Sequence, residues 1–154
     1  METLAWLIIR IAYAWMFIYP IKSLMHDWQG TRLMMDLLVP KPLGLQTITA
    51  SIMLVVMLIG GLMILFGVYA QIAGIILCIY SIIGYFIHTK LAQSAFDMKD
   101  KFEIKPHQDE IMNLEKLAFI GHTTSAQKNF VLAAMGLMFF LLGSGPLSLT
   151  NNLF

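Results

Sequence analysis

The sequence predicts an all-α integral membrane protein, a single domain over residues 1–154 built as an antiparallel, up-down bundle of four transmembrane helices with short interfacial amphipathic helices. Three observations carry this. The chain is 58% hydrophobic and 12% charged, with a mean hydropathy of +0.76, whereas a soluble domain is roughly a quarter charged. Four apolar runs approach the length of about twenty residues that crosses a bilayer's hydrocarbon core. The charges that remain are gathered in two of the connections.

The first predicted span covers about 4–25, interrupted only by Arg10, Pro20 and Lys22, with Trp6, Tyr13, Trp15 and Tyr19 as aromatic anchors. Pro20 should kink it, because proline removes a helix hydrogen bond. From His26 to Val39, polar His26, Asp27, Arg32 and Asp36 interleave with apolar Trp28, Leu33, Met34, Leu37 and Leu38. That pattern is too short to span and predicts a surface-lying segment over 26–39. Pro40 and Pro42 end it.

No Asp, Glu, Lys or Arg occurs between Lys41 and Lys90. This stretch accommodates two spans, about 46–66 and 71–88, joined by a tight turn at Gly67-Val68-Tyr69-Ala70. A charged insert follows over 90–127. Inside it, Asp109 and Glu110 begin a short amphipathic helix that Gly121 should terminate. Lys128 opens the fourth span, 128–149.

Cations flank the first connection (Lys22, Arg32, Lys41) and populate the third (Lys90, Lys99, Lys101, Lys105, Lys116, Lys128). The positive-inside rule then places 26–45 and 89–127 in the cytoplasm and both termini outside. A formal net charge of +1 excludes nucleic acid as a partner, since displacing phosphate counterions needs a large cationic excess. The single cysteine, Cys78, permits neither an internal disulfide nor a CxxC redox pair. The amino terminus lacks the cationic region of a cleaved signal peptide and reads as a retained helix.

Helix packing in lipid relies on small and polar residues. In the third span, Gly74, Cys78, Ser81, Gly84, Tyr85 and His88 recur at helical spacing and should face neighbouring helices, leaving Ile75, Ile76, Ile79 and Ile83 to lipid. Ala133, Gly136 and Gly143 repeat the device in the fourth span, and Ser51, Gly60, Gly61 and Gly67 in the second.

Ionisable groups at membrane depth invite a functional reading. Arg10, about two turns inside the first helix, reads equally as a cation snorkelling to the headgroups and as an anion or carbonyl partner within the bundle. His88 closes the polar stripe of the third span. The topology brings Lys22, His26, His88, Lys90, His122 and Lys128 toward one level, a set suited to a phosphate headgroup, a quinone carbonyl or an anionic substrate. The ligand-binding candidates are therefore Arg10, Tyr19, Lys22, His26, Ser81, Tyr85, His88 and Lys128. No HxxxH or ExxH spacing occurs and the spans lack carboxylates, so no metal centre is expected. Ser81 and His88 have no acid on their face to complete a hydrolytic triad.

Several segments resemble the DoxX family of small bacterial four-helix membrane proteins. Arg10-Ile11-Ala12 with Phe17-Ile18-Tyr19-Pro20 is similar to the family's first helix, and Val39-Pro40-Lys41-Pro42-Leu43 to its approach to the second. Gly60-Gly61-Leu62-Met63-Ile64-Leu65-Phe66-Gly67 resembles its Gly-Gly hairpin, and His88 stands where a histidine commonly closes the third helix. Lys128-Asn129-Phe130 through Gly143-Ser144-Gly145-Pro146-Leu147-Ser148-Leu149 is similar to the closing helix and tail. Met57 occupies a position where members often carry glutamate, and Gln71 one where many carry arginine, which turns the expectation away from proton-coupled chemistry.

The resemblance implies a multi-pass protein of the bacterial inner membrane, associated with quinone-linked sulfur oxidation or membrane redox complexes. On this reading the chain is an accessory subunit, not an enzyme alone, that holds a quinone, lipid or other amphiphile for a redox partner; any catalytic part would lie within a quinone-linked oxidoreductase. Two rival readings are a scaffold that recruits a cytoplasmic protein through 90–127 and a small transporter, for which repeated halves and paired intramembrane charges are missing. A homo-oligomer is compatible with either of the first two.

Overall fold

A computed structural model describes residues 2–96 and 108–150, all of whose regular elements are helical. The order is α1 (Glu2–Ile18), α2 (Ile21–His26), α3 (Trp28–Met34), α4 (Gln46–Phe66), α5 (Ala70–Phe96) and α6 (Gln108–Leu142), with 3-10 turns at Met35–Leu37 and Lys41–Leu43. Four stretches are long and apolar enough to cross a membrane: Glu2–His26, Gln46–Phe66, Ala70–Ala95 and Asp109–Leu142. The chain divides into two compact units, residues 2–80 with 132–150, and residues 81–131.

The first unit contains α1 to α4 and the adjoining parts of α5 and α6. Tyr13, Phe17, Met57, Ile64, Ala73, Leu77 and Phe139 form its buried core, with the Tyr13 ring 5.0 Å from Phe17 and 5.2 Å from Phe139, centroid to centroid. Small residues set the spacing. A Cβ on Gly74 would lie 2.7 Å from the Gly136 carbonyl oxygen, and one on Gly136 would lie 2.7 Å from the Tyr13 hydroxyl. The two backbones therefore touch where α5 meets α6, the close approach on which helix association in lipid depends. Beside this crossing the Tyr13 hydroxyl donates to the Leu132 carbonyl at 3.0 Å. Gly60 and Gly61 of α4 similarly admit Leu77 and Ile18.

At Pro20 the first span breaks into α1 and α2 without losing direction as a hydrogen-bonded chain: Tyr19 N–H still reaches the Trp15 carbonyl, and Leu24 N–H reaches that of Pro20, both at 3.0 Å. Asp27 then caps α3 by accepting from Gly30 N–H at 3.0 Å, a geometry that leaves no room for a side chain at position 30. The amphipathic segment expected over 26–39 is thus the short α3 followed by a 3-10 turn. Gly67, in the left-handed conformation at φ 65°, ends α4; Gly67 N–H donates to Ile64 and Val68 N–H to Met63.

The tail after α6 returns to this turn. Leu149 N–H reaches the Phe66 carbonyl, Thr150 N–H reaches that of Gly67, and Tyr69 N–H donates to the Thr150 hydroxyl.

The second unit holds α5 from Ser81 and α6 as far as Val131. Gly84 packs against the Asn129 amide, and the rings of Tyr85 and Phe130 lie 6.4 Å apart. Here one expectation is corrected. The chain from Asp109 onward is one helix, continuing through Gly121 and Lys128 to Leu142. No separate amphipathic helix ends at Gly121, and no new helix opens at Lys128. A helical glycine with open space around it costs too little to stop a long helix whose flanking residues propagate it. At about 1.5 Å per residue, the 34-residue stretch exceeds a hydrocarbon core of about 30 Å, so it carries both the membrane crossing and polar turns beyond it. Tyr85, of the same stripe as the buried Cys78 and Ser81, is 36% exposed, with its ring toward Phe130 of α6. Lys99, Lys101 and Lys105 of the charged insert lie outside the described residues.

Candidate functional site

The sequence-predicted site residues fall into three places. Arg10 is alone among them at its level of α1. Its residue is only 2% exposed, so it does not snorkel away from the protein: Nη2 donates to the Leu147 carbonyl at 3.0 Å. Nε and Nη1 are buried without a hydrogen-bond partner. Nη1 lies against Gly67, where any Cβ would collide with it. Among the described residues of this unit, Lys41 pairs with Asp36 at 3.3 Å and no carboxylate pairs with Arg10. Leu147 was not anticipated from the sequence. Its role is carried by a main-chain carbonyl and by a left-handed backbone at φ 62°, neither of which side-chain chemistry announces.

Tyr19, Lys22 and His26 come together along α2, where with Ser23 and Met25 they line an open recess. Helical spacing explains it: positions 19, 22 and 26 share one face. On its other side Met25 also lines a second, apolar cleft of about 490 Å³ with Ile21, Trp28, Ser51, Leu54, Val55 and Leu58. The cleft falls in the size range of small-molecule sites. Ser51 contributes little polarity, since its hydroxyl is bonded to the Thr47 carbonyl of its own helix at 2.9 Å. Sequence reasoning missed Leu54, Val55 and Leu58 because α4 is apolar on every side from Ile52 to Ile59, and nothing in that stretch marks which face meets α2.

His88 and His122, 34 positions apart, place Nδ1 against Nδ1 at 3.2 Å, with ring centroids 5.4 Å apart. One ring must donate and the other accept, so the two carry opposite tautomers at the bond. Lys128 is close enough to act electrostatically on His88. Ser81 is fully buried on the same helix with its hydroxyl unpartnered, and Tyr85 stacks edge-on against Phe86 at 5.5 Å. Lys22 and His26 belong to the first unit and His88, Lys90, His122 and Lys128 to the second. Among the described residues, no three or more His, Cys, Asp or Glu side chains gather as a metal-ligand group.

No curated protein and no solved structure matches the chain. The family model for DoxX matches residues 5–90, which span α1 to α4 and most of α5 and leave α6 and the tail outside the matched region. This covers more than half of the 154 residues, and with four helices able to cross a bilayer, the chain belongs to the DoxX family of multi-pass membrane proteins.

Proposed function

We propose that this protein is a non-catalytic, amphiphile-binding subunit that holds a quinone or lipid between α2 and α4 for a membrane redox partner. One observation carries the reading: the apolar cleft and the recess bearing Tyr19, Lys22 and His26 share Met25 as a common wall. An amphiphile needs that pairing. Its tail gains from contact with Ile21, Trp28, Leu54, Val55 and Leu58, while its polar head meets an ammonium, an imidazole and a phenol. Lys22 and His26 suit a headgroup phosphate or a quinone carbonyl, both of which accept hydrogen bonds from an ammonium or an imidazole N–H.

Native mass spectrometry of the protein extracted in a neutral glycoside detergent tests this. The expected result is a retained mass equal to one quinone or one lipid, lost in a Lys22→Ala/His26→Ala chain and kept in His88→Ala. Retention that depends on His88 and not on α2 would contradict the site; no retained mass in any chain would contradict the function.

A further inference from the structure

Arg10 presents an unsolved problem of charge. A guanidinium cannot lose its proton in a protein, and burying a cation without a partner is among the costliest acts available to a fold in lipid. Yet Arg10 has one neutral acceptor, the Leu147 carbonyl, and two nitrogens without any. The first unit offers no remedy by sequence: its carboxylates are Glu2, Asp27, which caps α3, and Asp36, which pairs with Lys41, and the chain from 37 to 96 has none.

The acceptor it does have is held in an unusual way. Leu147 sits at φ 62°, a left-handed conformation that disfavours a side-chain-bearing residue, and Gly143 and Gly145 on the same tail are left-handed as well. The Leu147 side chain is 67% exposed, so packing does not explain the backbone. What the conformation achieves is to aim a carbonyl oxygen at the guanidinium. The tail is otherwise held by four hydrogen bonds of 2.8–3.3 Å to the α4–α5 turn.

We propose that Arg10 is the receptor for an oxyanion, a carboxylate or phosphate oxygen, and that the 143–150 tail is its cover, with the Leu147 carbonyl standing where the ligand's oxygen binds. The charge decides the ligand class. A neutral quinone carbonyl would do no more than Leu147 already does, whereas an anion balances the cation and engages the forked donors that are idle. Displacement of Leu147 also releases its left-handed backbone. This site is separate from the α2–α4 cleft, roughly ten or more helix residues away along the first span, or about 15 Å.

Trp6 reports on the tail, because the Gly145 backbone lies directly on its indole ring. The experiment uses the full chain in a neutral glycoside detergent, with Trp15→Phe and Trp28→Phe leaving Trp6 as the one tryptophan. Its emission is followed while sodium acetate or inorganic phosphate replaces sodium chloride at constant ionic strength, and in a parallel arm while dioleoylphosphatidic acid is added. Saturation by acetate or phosphate supports a soluble oxyanion, and saturation by phosphatidic acid alone supports a lipid headgroup. In either case Arg10→Met should abolish saturation, and Arg10→Lys, which keeps the charge and loses the fork, should weaken it about tenfold. Leu147→Gly leaves Arg10 in place and relieves the strain of the closed tail, so it should bind several-fold more weakly than the native chain. The proposal is overturned if no probe saturates, if saturation survives in Arg10→Met, or if Leu147→Gly saturates at the native concentration or below.

Discussion

The Arg10 guanidinium donates to the Leu147 carbonyl oxygen at 3.0 Å, tying the first helix to the tail across 137 positions. This bond is neutral on one side and leaves Nε and Nη1 unsatisfied. Removing one partner of such a contact ordinarily costs about 1–3 kcal/mol, but removing an uncompensated buried charge returns a comparable or larger amount. Arg10→Met, similar in reach and uncharged, should therefore leave the unfolding free energy unchanged or raise it by about 1 kcal/mol. Thermal denaturation in detergent measures it. A loss above about 2 kcal/mol would mean the bond to Leu147 is structural and the charge well compensated.

The Gly74–Gly136 approach makes the opposite prediction. Even one methyl group at position 74 meets the Gly136 carbonyl and the Phe140 amide nitrogen, both at 2.7 Å. Backbone cannot yield as a flexible side chain does, so Gly74→Ala should destabilise by about 1–3 kcal/mol and Gly74→Leu by more. Gly121→Ala is the matched control. It has open space around it within α6, and alanine's better helix propensity should stabilise by about 0.5–1 kcal/mol. Equal effects at the two positions would contradict the packing.

Gly67 joins turn and site in one residue. Its φ of 65° disfavours any side chain, and a Cβ there would strike Arg10 Nη1 and Ser148. Gly67→Ala should lower the thermal midpoint, by an amount equivalent to more than about 1 kcal/mol. In a Gly67→Ala/Arg10→Met chain part of that loss should be recovered, since one of the two collisions is gone. A purely additive double substitution would mean the backbone strain alone is responsible.

His88 and His122 should be coupled. Each replaced singly by Ala leaves the other's Nδ1 unpaired, so a double-substitution cycle should give a coupling of about 0.5–1.5 kcal/mol. Independent effects would show that the 3.2 Å contact contributes nothing in the folded protein.

How far these relationships were legible in the sequence follows from what each depends on. Four spans could be read because hydrocarbon thickness sets helix length, and the α4–α5 turn because Gly67 sits between two uninterrupted apolar runs. Helix continuity through Gly121 and Lys128 could not be read, because Lys128 marks a change of polarity and not a change of backbone. Arg10 was visible as an anomaly, but the choice between snorkelling and an internal partner depended on a main-chain carbonyl in the tail. His88 was singled out by its stripe, whereas its pairing with His122 needed two helices to be placed side by side. The α2–α4 cleft was the least legible feature, since Leu54, Val55 and Leu58 differ in no chemical respect from the lipid-facing residues around them.

The claim that an amphiphile lies between α2 and α4 is tested most directly at Trp28, which lines the cleft. With Trp6→Phe and Trp15→Phe, its fluorescence can be quenched by a short-chain benzoquinone or by a brominated phospholipid in neutral detergent. The expected result is saturable quenching by at least one probe, weakened about tenfold by Lys22→Ala/His26→Ala and by Val55→Phe, which fills the cleft; a tenfold loss corresponds to about 1.4 kcal/mol. Quenching that rises in proportion to probe concentration, and equally in all three chains, would contradict the account.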